Sequence, residues 1–102
     1  MVKLIALFRD PVDKERFDEH YSQIHMPLAK AMPGLQKIEV TRIAGTPMGT
    51  EAGYYLLTQM YFADRESLDA AMNSREGRAG GKDLAGFAGK LVSMMIGEVV
   101  ED

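Results

Sequence analysis

Three of the four segments that alternate like β-strands carry apolar side chains on both faces, and this limits the folds open to the chain. Residues 2–9 place Val2, Leu4, Ala6 and Phe8 on one side, and Ile5 and Leu7 on the other between Lys3 and Arg9. Residues 54–62 send Tyr54, Leu56, Thr58, Met60 and Phe62 one way and Tyr55, Leu57, Gln59 and Tyr61 the other. Residues 91–100 are apolar on both sides until Glu98. An antiparallel sheet with one wet face alternates cleanly between apolar and polar. These strands do not, so both faces of their sheet need cover.

The intervening segments supply cover for one face. Asp10-Pro11-Val12-Asp13 reads as a turn ending in an N-cap, and a helix follows over 14–32 until Pro33-Gly34 stops it. Residues 35–44 form a second strand, whose clean alternation suits a sheet edge. The glycine- and proline-punctuated stretch 45–53 is a loop. Asp64 caps a helix with a Leu68, Ala71, Met72 stripe, and Ser74 caps another over 75–85, weakened by Gly77, Gly80 and Gly81. Gly86-Phe87-Ala88-Gly89 reads as a turn pinning Phe87 into the core. The order βαββαβ predicts an α+β, ferredoxin-like plait: a four-stranded antiparallel sheet with its helices on one face. A second copy packed sheet to sheet is the economical cover for the other face, giving a twofold homodimer with an interface of roughly 2,000 Å² or more.

Both histidines fall within His20-Tyr21-Ser22-Gln23-Ile24-His25-Met26-Pro27-Leu28. Phe17, Tyr21, Ile24, Leu28 and Ala31 recur at helical spacing and predict a core-facing stripe. At about 100° per residue His20 lies about 60° to one side of that stripe and His25 about 80° to the other. The two imidazoles are thus expected on opposite flanks, serving different ends of any pocket. Pro27 leaves the Gln23 carbonyl without its donor and disfavours the α region at Met26, so a kink or break is expected there. A bent helix carrying an imidazole suits a pocket wall; a helix with two satisfied, core-flanking histidines is the plainer alternative.

Composition excludes several classes. A net charge of −3 with no basic block gives no footprint for nucleic acid, and the aromatic-basic signature of an RNA-recognition motif does not occur. With no cysteine there is no disulfide framework, thiolate nucleophile or Cys-based metal site. The His-to-His spacing of five falls short of a helical metal pair at i, i+4, so no metal is expected. Residues 77–82 look like a phosphate loop but fail its pattern at Glu76 and Asp83. No run approaches the roughly 20 apolar residues of a membrane span, and the short apolar N-terminus lacks a signal peptide's architecture. The expectation is one cytoplasmic domain, 1–102, with no membrane partner.

Phe17-x-x-His20-Tyr21-x-x-x-His25-x-Pro27-Leu28, Met32-Pro33-Gly34-Leu35, Ser74-x-Glu76-Gly77 and Asp83-x-x-x-Phe87 together resemble the EthD family over the whole chain. That family is named for a protein needed in bacterial degradation of ethyl tert-butyl ether and belongs to the dimeric α+β barrel superfamily. The resemblance implies a homodimer whose two sheets form a barrel. It also implies a small, largely apolar organic ligand held between sheet and helices, and EthD-like domains are grouped with oxidoreductases. Related barrels include cofactor-free monooxygenases, cyclases, isomerases and decarboxylases that act by proton transfer. Two functions follow as alternatives. One is a cofactor-independent enzyme in which His25 carries the proton while His20 and Tyr21 orient, with Tyr54, Tyr55, Gln59 and Tyr61 as ligand-binding candidates from the sheet. The other is a non-catalytic accessory or ligand-binding protein for a monooxygenase system. Gln59, on a largely apolar strand, needs a partner that a ligand or a second subunit would supply. Eight methionines suit adaptable core filling and equally a pocket for irregular apolar ligands.

Overall fold

Strand β1 (Val2–Arg9) is an inner strand of a four-stranded sheet, paired antiparallel with β3 (Tyr54–Phe62) on one side and β4 (Val92–Glu98) on the other. Strand β2 (Lys37–Arg42) pairs with β3 and forms an edge, giving the order β2-β3-β1-β4. This is the antiparallel ferredoxin-like plait expected from the order of elements. The computed structural model describes residues 1–101, so the last residue of the 1–102 domain reading lies outside the described residues. No described helix is long and apolar enough to cross a membrane.

The helices cover one face of the sheet. Asp13 caps α1 (Lys14–His20) by accepting from the Arg16 amide. A single π-helical turn, Tyr21–His25, follows, and then α2 (Met26–Lys30). Asp64 caps α3 (Arg65–Asn73) through the Ser67 amide, and Ser74 caps α4 (Arg75–Ala88) through the Gly77 amide. Two apolar clusters hold these helices to the sheet. One joins Val2, Met60 and Phe62 to Ala29, Met32, Leu68 and Ala71; the other joins Phe8, Tyr55 and Leu56 to Phe17, Tyr21 and Ala88.

Four local expectations are corrected. The helix does not break before Pro27: Met26 keeps helical angles (φ −60°, ψ −42°), and its amide bonds the Tyr21 carbonyl five residues back. The chain absorbs the proline's missing donor by widening the preceding turn, a device common at functional sites. That extra residue shifts the buried stripe to Phe17, Tyr21, His25, Ala29 and Met32, leaving Ile24 49% exposed. Second, α4 runs unbroken to Ala88, through residues expected to turn. Third, β2 is confined to Lys37–Arg42. Fourth, a β-bulge lets Phe8 face Leu56 while Arg9 faces Tyr54, so Tyr55 is the extra residue and turns toward the helices. Tyr55 is buried against Phe17, whereas Tyr54 is exposed.

Candidate functional site

The widened turn determines where both histidines sit. A regular helix would set residues 20 and 25 about 140° apart. With the π turn between them, both rings reach one residue of α4, Asp83. His20 Nε2 lies 2.8 Å from Asp83 Oδ1, and His25 Nδ1 lies 3.0 Å from Asp83 Oδ2. The expectation of opposite flanks is therefore corrected: one carboxylate bridges the two imidazoles. Phe87, one helical turn beyond Asp83, stacks on His20 at 4.3 Å and touches the His25 ring at 5.3 Å. The arrangement opens outward, with side-chain exposure rising from 12% at His25 through 17% at Asp83 to 31% at His20.

His25 faces a cavity of about 290 Å³ between the sheet and the helices. Leu4, Ala6 and Phe8 of β1, Met60 of β3 and Met94 of β4 line it from the sheet, while Ala29, Met32, Met72 and Leu84 close it from the helices. Its floor on α4 is glycine, at residues 77, 80 and 81. Among its lining residues the polar side chains are His25, Tyr21, Thr58 and Arg78. Tyr21 and Thr58 are both buried and hydrogen-bonded hydroxyl to hydroxyl. Burial pushes the Tyr21 phenol above its ordinary pKa, only partly offset by that bond, so it serves as a neutral hydroxyl.

The chemistry of His25 follows from its partners. A carboxylate only accepts hydrogen bonds, so a neutral His25 carries its proton on Nδ1 and leaves Nε2 as a lone pair. Nε2 makes no hydrogen bond within the protein, and no enclosed side-chain polar atom among the described residues lacks a partner; Nε2 is therefore accessible. Burial lowers the His25 pKa below its usual value, and the Asp83 bond and charge oppose this without reversing it. The result is an imidazole that is neutral near pH 7, oriented through one nitrogen and open at the other: the form a general base requires.

The other sequence candidates lie elsewhere. Tyr55 donates to both oxygens of Asp18, at 2.9 and 2.8 Å, and ties β3 to α1. Tyr54 is 42% exposed, beside the 45–53 loop. Both border an open hollow between that loop and the start of α1, which contains neither histidine. Gln59 finds its partners within the chain, accepting from Lys3 Nζ at 2.7 Å and donating to Glu39 Oε1 at 3.3 Å. Tyr61 lies on the same open face, with Lys3 and Lys37 each 5.3 Å from its ring. None of these four lines the cavity. Three residues that matter escaped sequence reasoning: Asp83, Thr58 and Gly80. The four-residue spacing of Asp83 and Phe87, which places them on one helix face, was the available signal for the first. Among the described residues no group of three or more His, Cys, Asp or Glu is arranged to hold a metal.

Fold and cavity together define a small α+β protein with a histidine-walled apolar chamber under its helices. The chain belongs to the EthD family: the EthD domain matches residues 9–90. It is 55% identical to an ethyl tert-butyl ether degradation family protein from Bacillus halodurans, over 96% of this chain and 97% of that one, with a TM-score of 0.92. It is 30% identical to an uncharacterized 11.0 kDa protein of Rhodococcus erythropolis, over 93% of this chain and 91% of that one. The fold also resembles SnoaB, a cofactor-independent oxygenase from Streptomyces nogalater, at 10% identity and a TM-score of 0.71, over 99% of this chain and 94% of that one.

Proposed function

We propose that this protein is a homodimer that holds a small, largely apolar organic molecule in the chamber beneath α4 and exchanges a proton with it through His25, without a cofactor. The observation that supports this reading is the His25 ring in the wall of an otherwise apolar cavity, its Nδ1 held by Asp83 and its Nε2 unpaired. A general base must be unprotonated when it acts and fixed in orientation; burial favours the neutral His25 ring and the single carboxylate partner orients it. The Tyr21–Thr58 hydroxyl pair stands in the same chamber and offers a neutral donor to a carbonyl or phenol oxygen. Four methionines, Met32, Met60, Met72 and Met94, line the chamber and adapt to irregular apolar shapes. That SnoaB is a cofactor-independent oxygenase lends support to chemistry without a cofactor on this fold.

The open face of the sheet supports the dimer. Ile5 stands opposite Met95, and Leu7 opposite Leu57, on the side the helices leave bare. A second copy covers them.

Proton exchange is testable without knowing the natural ligand. A panel of small apolar ketones and phenols is incubated with the protein in D2O, and deuterium uptake at acidic C–H positions is followed by proton NMR. Protein-dependent uptake by at least one compound, lost in His25→Gln with the dimer intact, is expected. Binding with no exchange across the panel would overturn the catalytic role and leave a ligand-binding or accessory protein; exchange undiminished in His25→Gln would remove His25 from the role.

A further inference from the structure

Asp83 offers one negative charge to two imidazoles. Lying outside the cavity wall, His20 is the more exposed of the two, and it borders a separate surface depression with Ala79, Lys82, Asp83, Gly86 and Phe87. Both ring nitrogens that face the carboxylate are donors in the neutral rings, because the carboxylate accepts from each. A proton cannot pass along such a chain unless a ring turns over, so the cluster is not a wire. It is a competition. When His25 takes a proton on Nε2, its new charge is stabilised by Asp83 only to the extent that His20 has not already claimed that charge.

We propose that His20 is a positioning residue that sets the basicity of His25 from outside the cavity: the Asp83 carboxylate compensates one imidazolium, and while solvent keeps His20 protonated, His25 resists protonation and works poorly as a base. This rests on the reading of His25 as the proton carrier. The balance is simple: the ligand proton moves to His25 Nε2, Asp83 stays ionised, and the His20 proton comes from or goes to water. Proton abstraction therefore requires neutral His20, and its rising limb with pH belongs to the His20–Asp83–His25 cluster rather than to His25 alone. The remaining charged or titratable groups beside these rings are few. Arg16 and Glu19 flank His20 on its own helix, Asp13 shares a surface hollow with it from the N-cap of that helix, and Lys82 flanks it on α4. Arg78 of α4 and the neutral Tyr21 phenol share the chamber with His25, and the sheet presents it Thr58 and apolar side chains. Asp83 is the charged group in hydrogen-bond contact with both rings.

The test uses the two histidines as their own probes, since the chain has two in all. Imidazole nitrogen and carbon shifts of the intact protein are titrated from pH 8.5 to 4.5. Strongly interacting sites, coupled by about one pH unit or more, titrate in macroscopic steps that belong to the pair. The wild-type His25 curve is expected to be biphasic, responding as His20 titrates. In His20→Gln it becomes a single step whose midpoint rises by about one unit. In Asp83→Asn it moves the opposite way. A His25 curve that is single-step in the wild type and unmoved by His20→Gln would overturn the proposal, and His20→Gln decides the matter should Asp83→Asn not fold. The readout needs no ligand, so failure of the coupling and failure of His25 as a proton carrier are seen separately.

Discussion

Two glycines three residues apart on α4 should respond to the same methyl group with opposite signs. Gly80 is buried on the cavity floor, and a Cβ placed there meets nothing within 4 Å. Gly80→Ala therefore gains helix propensity, about 0.8–1.0 kcal/mol, with no clash to offset it. For a chain of this size that corresponds to a rise in Tm of about 4 °C or more. A Cβ at Gly77 would lie 2.1 Å from the Ala71 carbonyl oxygen, 2.8 Å from that of Met72 and 2.9 Å from Met72 Cα. All three are backbone atoms at the end of α3, so the two helices must separate, and overpacking of this kind costs about 1–3 kcal/mol or more. Gly77→Ala should lower Tm by several degrees. The assay is thermal unfolding followed by circular dichroism at one fixed protein concentration, because the Tm of a self-associating chain depends on concentration. If both substitutions raise Tm, the α3–α4 approach is misplaced. If Gly80→Ala lowers it, the space beneath α4 is not empty and no chamber of this size lies there.

Three further outcomes follow. Tyr21→Phe leaves the Thr58 hydroxyl buried without its partner, at a cost of about 1–3 kcal/mol, and adding Thr58→Val should recover most of the loss in urea denaturation; no recovery would contradict the pairing. His25 has a folded pKa below its unfolded value, so the unfolded state binds more protons as pH falls through about 6.5. The His25 contribution to stability is thus present above that pH and lost below it, and the wild-type minus His25→Gln difference between pH 7.5 and 5 should show this slope; a difference independent of pH would refute it. Leu57→Glu puts a charge on the bare sheet face and should halve the mass seen by sedimentation equilibrium; an undisturbed dimer would mean that another surface joins the copies.

The plait was legible because its signals are local. The caps at Asp13, Asp64 and Ser74 and the two-residue period of the strands all lie in short windows; the caps stand at those residues, and the four strands fall within the segments their period marks. The site was legible only in part. His20, Tyr21 and His25 stood out by residue type, but their relation depended on an inserted helical residue that a uniform 100° projection cannot contain. The shift that turned His25 inward and Ile24 outward arises from Pro27 acting on the turn before it. Strict alternation places Tyr55 on the face of Leu57, Gln59 and Tyr61, whereas a bulge opposite Phe8–Arg9 turns it to the helix side. Asp83 was visible as a spacing with Phe87, but that it would meet both histidines is a tertiary fact. The glycines of α4 read as helix weakeners; the structure gives two of them different jobs, a close approach at Gly77 and open space at Gly80.

The chamber is tested most directly by the methionine methyl groups. The chain has eight methionines, and Met32, Met60, Met72 and Met94 line the cavity while Met1, Met26, Met48 and Met95 do not. With methyl-labelled methionine, addition of a small apolar ketone such as cyclohexanone should shift those four resonances together with the His25 imidazole, saturably and at one site. Shifts spread over Met48 and Met95, or a spectrum in which the four lining methyls do not move for any apolar probe of this size, would contradict the account.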